Sequence, residues 1–153
     1  MSEERVKIDF DLAEIRDGEW PPTDFEGIWA QPLDDGNFEI DNVPFYVIGL
    51  ADKDVVSAHA DGNGTLLFDR VVRRGGHSTF WIFLTDLAHS DGALFVQWWS
   101  TLETLGCGYE SVNDRYYAID VPSGSDAAAA RRLLQDGEDA GVWHFADGYQ
   151  ATM

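Results

Sequence analysis

Apolar positions between residues 77 and 147 switch between a period of two and a period near 3.6, with turn residues at each change. His77-Ser78-Thr79-Phe80-Trp81-Ile82-Phe83-Leu84 is rich in aromatic and β-branched residues and stops at Thr85-Asp86, which predicts a buried strand. Ser90 or Asp91 can cap a following helix whose Leu94, Phe95, Trp98, Leu102 and Leu105 share one face, with Gly106 at the left-handed stop. Asn113-Asp114 predicts a hairpin turn between strands over 107–112 and 115–121, the second closed by Pro122. Ser125 is placed to cap a second helix through Leu134 that ends near Gly137, and Gly141-Val142-Trp143-His144-Phe145 returns as a last strand. The order β-α-β-β-α-β is that of a ferredoxin-like sandwich, in which two helices cover one face of a four-stranded sheet.

Upstream the pattern is strand and turn. Residues 25–30, 38–40, 45–50, 54–60 and 65–72 read as strands, separated by Asp34-Asp35-Gly36-Asn37, Asn42-Val43-Pro44 and Asp61-Gly62-Asn63-Gly64. Strands this short predict a small curved antiparallel sheet or partial barrel over 25–76, packed on the ferredoxin-like half (77–153) as one cooperative α+β unit. Residues 1–24 form a separate acidic segment, loosely ordered over much of its length, in which Val6, Ile8, Phe10 and Leu12 alternate with polar neighbours and can add a strand to a sheet edge.

Several local motifs occur together: Trp29-Ala30, Asn42-Val43-Pro44-Phe45-Tyr46, Asp54-Val55-Val56, Gly76-His77-Ser78-Thr79, Leu105-Gly106-Cys107 with Tyr109-Glu110, and Ala118-Ile119-Asp120-Val121-Pro122. In this combination the chain resembles an uncharacterised bacterial family of domains of unknown function (DUF4265-like), over roughly residues 25–147. The resemblance implies lineage and fold. It transfers no catalytic residue, because the family has no assigned activity.

Charge narrows the function classes. The 153 residues carry 28 acids against 10 bases, a formal charge of -18. A surface with that charge repels phosphate backbones and anionic headgroups, so no nucleic-acid partner is expected. Apolar runs fall far short of the ~20 residues of a membrane span, and Met1-Ser2-Glu3-Glu4-Arg5 does not read as a signal peptide, which points to a cytoplasmic protein. The four histidines, His59, His77, His89 and His144, have no close pairing, and Cys107 has no second thiol, so no structural zinc site, metal or cofactor is expected. A site assembled from distant residues, for example His77 with Glu110, stays open.

Few residues stand out as chemistry. His77 beside Ser78 after Gly75-Gly76 is the most site-like stretch, although neighbours in a strand point to opposite faces and do not form a base and nucleophile pair. Tyr109, Glu110, Arg115 and Asp120 share a hairpin, where Glu110 and Asp120 can be cross-strand neighbours that share a proton, or carboxylates satisfied by Arg115 or a backbone donor. Cys107, just past a helix C-terminus, reads as buried and unreactive. Trp98 and Trp99 lie about 100° apart on their helix, so one is expected against the N-terminal sheet and the other exposed.

Three readings of function follow, in order of support. The first is a non-enzymatic acidic binding protein, of immunity or inhibitor type, that covers a basic protein partner through Asp9, Asp11, Glu14 and Asp17, with Trp20 and Trp29 as apolar anchors. The second is a small-molecule binder with a pocket between the two halves. The third is an enzyme using His77 with Glu110 or Asp120.

Overall fold

The alternation of Ile8 and Phe10 with Lys7, Asp9 and Asp11 is realised as β1 (Val6–Asp11), which puts the apolar residues inside and the charged ones outside. The computed structural model describes residues 5–13, 18 and 20–151. β1 is the first strand of a closed five-stranded barrel with β2 (Phe25–Pro32), β3 (Phe38–Ile40), β4 (Val55–Ala60) and β5 (Leu66–Arg73). Successive strands pair antiparallel, and closure comes from parallel pairing of β1 with β5, Ile8 opposite Leu66 and Asp9 opposite Leu67. The barrel is therefore complete and not partial, and the strand that removes its open edges comes from the acidic segment before residue 25. Ile8, Phe10, Ile28, Ala30, Ile40, Leu50 and Val56 fill it.

The second half is a four-stranded antiparallel sheet of β6 (Ser78–Leu84), β7 (Gly108–Ser111), β8 (Tyr116–Val121) and β9 (Trp143–Tyr149), in the order β7-β8-β6-β9. Three helices join the strands: α1 (Asp86–Ser90), α2 (Gly92–Thr104) and α3 (Ala127–Asp139). The short α1, capped by Thr85, is an addition to the pattern expected from sequence. Asp91 caps α2 by accepting from Ala93 N and Leu94 N, and Gly106 takes φ 93° after it, as its position predicts.

Two local expectations for α3 are corrected. Asp126, not Ser125, is its N-cap, accepting from Ala129 N at 3.0 Å, while Ser125 Oγ donates to Leu105 O. Gly137 does not stop the helix. It lies within α3, where glycine is needed because a Cβ would come within 2.4 Å of the Trp143 ring, and the left-handed glycine is Gly141. Trp143 is wholly buried under α3 and donates from Nε1 to Leu134 O.

Phe80, Ile82, Ile119 and Val121 turn to the helices and join Trp99, Leu102, Leu134 and Trp143 in one core. The opposite face carries Trp81, Tyr116 and Ala118, which pack with Val43. Here the barrel docks. Trp81 Nε1 donates to Pro44 O, Thr79 Oγ1 to Leu50 O, and Gly49 N to Gly148 O. Trp98 and Trp99 both belong to the helix-side core, Trp99 buried and Trp98 half-buried, so neither covers the barrel. That role falls to Trp81 and Trp20, whose ring stands edge-on to Tyr46, Phe83 and Tyr116.

Residues 45–50, expected as a strand, run as irregular chain between barrel and sheet. Their amides have another partner: the buried Glu26 carboxylate accepts from Phe45 N, Tyr46 N and Val47 N at 2.6, 2.9 and 3.0 Å. One side chain of β2 thus satisfies three consecutive donors that a sheet would otherwise have taken. Among the described residues no helix is long and apolar enough to cross a membrane.

Candidate functional site

The turn before β4 and the turn before β6 are locked together by a buried carboxylate. Asp54, fully buried, accepts from Ala51 N, Gly75 N and Arg74 Nη1 at 3.0, 3.0 and 2.9 Å. The lock needs glycine at 75, since a Cβ there would lie 2.3 Å from the Lys53 carbonyl oxygen. Lys53 itself holds a left-handed backbone, φ 70°. These constraints set Asp52 on one turn against His77 on the other.

Asp120 completes the group. It sits on β8 opposite Thr79, on the face that carries Tyr116 and Ala118 toward the barrel. His77 Nδ1 lies 2.8 Å from Asp120 Oδ1, and donor atoms of Asp52, His77 and Asp120 all fall within 4.8 Å of one another. The three come from the barrel side, the β6 entry and the β8 strand, so the cluster marks the junction of the two halves. Asp52 Oδ1 is buried and has no hydrogen-bond partner among the described residues. Burial pushes the Asp52 carboxyl up to about 6, the nearby Asp120 and Asp41 charges adding to the rise and Lys53 and His77 opposing it.

The residues singled out from sequence are dispersed around this junction. Glu110 shares the barrel-facing side of the sheet but stands opposite Ala118, while Asp120 stands opposite Gly108. The two are diagonal, not directly paired, and their partners differ: Glu110 accepts from Val43 N at 3.2 Å, Asp120 contacts His77. Burial raises the Glu110 carboxyl, with a further push from the Asp120 charge against the pull of the Val43 donor. Arg115 satisfies neither; it pairs with Asp86 at 2.7 Å. Tyr109 lies on the opposite face against Phe95, Trp99 and Tyr117. Ser78 is buried and accepts from Ala151 N at 2.8 Å. Cys107 is buried as expected, its thiol pushed up to about 11 chiefly by burial and then by the Asp120 charge.

Of the acidic run, Glu14 and Asp17 lie outside the described residues. Asp9 and Asp11 are on the outward face of β1, beside Phe25, Gly27 and Trp29 of β2 in the register Asp9 opposite Gly27 and Asp11 opposite Phe25. Trp29 is 37% exposed, Trp20 43% and Phe25 51%. The Trp29 ring is flanked by Arg5 and Lys7, with the cationic groups 4.9 and 5.0 Å from its centroid. Sequence reasoning missed Phe25 as an exposed anchor and Asp52 as a site residue. The signal for Asp52 was the Asp52-Lys53-Asp54 turn, in which one acid is a structural hub and leaves the other free to point elsewhere. Two cavities, of about 340 Å³ beside Leu105, Ala129 and Leu133 and about 400 Å³ beside Gly76, Ser78, Pro122 and Asp126, take no lining residue from a barrel strand.

A closed barrel docked on a helix-backed antiparallel sheet, with an Asp-His-Asp cluster at the seam, defines an α+β protein whose polar centre is its internal junction. The chain belongs to the family described as a domain of unknown function, DUF4265, which it matches over residues 26–145. No curated protein matches it in sequence. It is similar to a solved structure described as a hypothetical protein from Neisseria gonorrhoeae, with TM-score 0.75 and 18% identity, covering 100% of this chain and 98% of that one. At that identity the likeness shows the fold alone.

Proposed function

We propose that the protein is a non-enzymatic acidic binding protein that covers a basic protein partner in the cytoplasm, in the manner of an immunity or inhibitor protein. The observation that carries this reading is the outward face of β1 and β2, where Asp9 and Asp11 stand beside the exposed Phe25 and Trp29. Phe25 next to Asp9 and Asp11 gives a basic partner both binding area and steering, and the Trp29 ring already takes the cationic groups of Arg5 and Lys7. The surrounding charge supports it. Arg5 and Lys53 share Asp41, and Arg73, Arg74, Arg115 and Arg131 each pair with an acid, so much of the positive charge is already matched within the protein. We also read the helix-backed half as ferredoxin-like, since the order β9-β6-β8-β7 follows from a split β-α-β arrangement.

The test is capture from a cytosolic extract at low salt, followed by association kinetics on the retained protein. A basic partner is expected whose on-rate falls with ionic strength and falls again in the Asp9→Asn, Asp11→Asn double variant, with Phe25→Ala chiefly raising the off-rate. Retention of no basic protein, or equal on-rates for wild type and double variant at low salt, defeats the reading.

The contact between His77 and Asp120 favours a second reading, acid-base chemistry with the carboxylate orienting the imidazole. It ranks below the first because both side chains are largely enclosed, 14% and 17% exposed.

A further inference from the structure

We propose that Asp52, His77 and Asp120 form a binding site for one divalent first-row transition cation, Mn²⁺ or Zn²⁺, that ties the barrel to the sheet. This stands apart from the partner-binding surface on β1 and β2 and does not depend on it.

Geometry comes first. The donor atoms lie within 4.8 Å of one another, and the 2.8 Å between His77 Nδ1 and Asp120 Oδ1 needs to open only to the ~3.0 Å (octahedral) or ~3.4 Å (tetrahedral) that separates adjacent ligands on an ion at ~2.1 Å from each. A second observation points at a missing partner. Asp52, a member of this group, has its Oδ1 shielded from solvent with no hydrogen-bond donor among the described residues. A buried carboxylate oxygen without a donor is costly, and a cation bound there removes that cost. The ligand types then select the ion. One imidazole with two carboxylates suits Zn²⁺ or Mn²⁺ better than Ca²⁺ or Mg²⁺, which take oxygen donors, or Cu⁺, which prefers sulfur. The charges of the two carboxylates would balance a divalent ion. Three protein ligands leave coordination positions for water, and the Asp54 lock holds the Asp52 turn in place as an outer support.

Chelator-treated full-length protein is titrated with MnCl₂ or ZnCl₂ alone, followed by calorimetry and thermal melting. One ion per chain is expected, with a rise in melting temperature that grows with metal concentration. Asp52→Asn and His77→Gln should each weaken binding by at least about 100-fold, beyond the 10- to 100-fold typical of outer-shell changes. Mn²⁺ also reports its ligands without any variant: pulsed EPR of the wild-type complex should show modulation from a single imidazole nitrogen. The acidic surface can hold Mn²⁺ loosely, so binding without nitrogen modulation, or binding unchanged in a folded Asp52→Asn variant, overturns the proposal. Absence of binding by either ion up to 1 mM does the same.

Discussion

His77 and Asp120, 43 residues apart in sequence, meet through Nδ1 and Oδ1 at 2.8 Å. The contact joins the residue that enters β6 to the neighbouring strand β8, and it sets the ring's tautomer: with a carboxylate at Nδ1, the neutral imidazole carries its proton there and leaves Nε2 as the lone pair. Nitrogen shifts of the His77 ring in metal-free protein at alkaline pH should report the Nδ1–H form, and Asp120→Ala should return it to a mixture. Loss of a hydrogen bond to a charged group in this mostly enclosed position should cost about 1.5–3 kcal/mol in His77→Ala, read by chemical denaturation. A ring already in the Nε2–H form in wild type would remove the basis for this assignment.

Glu26 is another internal carboxylate with a defined duty, holding the amides of residues 45–47. Burial raises its carboxyl against the pull of those donors. Glu26→Gln keeps one acceptor oxygen and turns an amide NH₂ toward an N–H it cannot accept. We expect about 1–3 kcal/mol of destabilisation, with faster hydrogen exchange at Phe45 to Val47. Unchanged stability and exchange would mean that other groups hold this segment.

Gly137→Ala tests the packing of α3. In an exposed helix interior alanine is better than glycine by up to about 1 kcal/mol. Here the new methyl meets the Trp143 ring at 2.4 Å, so overpacking, at about 1–3 kcal/mol, should win and lower the melting temperature. A stabilised variant would show that Trp143 can move aside without loss.

Cys107 should label slowly in native protein at pH 8, because its thiol is both buried and held up to about 11. The same shift has a sign in stability. The unfolded chain loses this thiol proton at lower pH than the folded one, so the contribution is intact below the unfolded value and is lost as pH rises toward 11. The stability advantage of wild type over Cys107→Ala should therefore shrink between pH 8 and 11 in paired denaturation curves. Labelling at the rate of a free thiol, or a constant difference, contradicts this.

Apart from the short α1, periodicity alone determined the order of elements from residue 78 onward. Strand and helix periods depend on which residues are apolar at short range, and Phe80–Leu84, Leu94–Leu105 and Tyr116–Val121 carry them without help from distant contacts. The same local physics made β1 visible as alternating positions and Cys107 as a buried thiol. It failed where a tertiary partner changed the local outcome. Gly137 looks like a helix stop until Trp143 is placed against it, and residues 45–50 look like a strand until Glu26 takes their amides. Closure of the barrel required β1 to find β5 across more than 50 residues, a pairing that hydrophobic pattern does not encode. The seam cluster belongs wholly to tertiary structure. Asp52, His77 and Asp120 have no informative spacing, and they converge only because Asp54 and Gly75 lock two turns together and the register of β6 on β8 carries Asp120 to the same place.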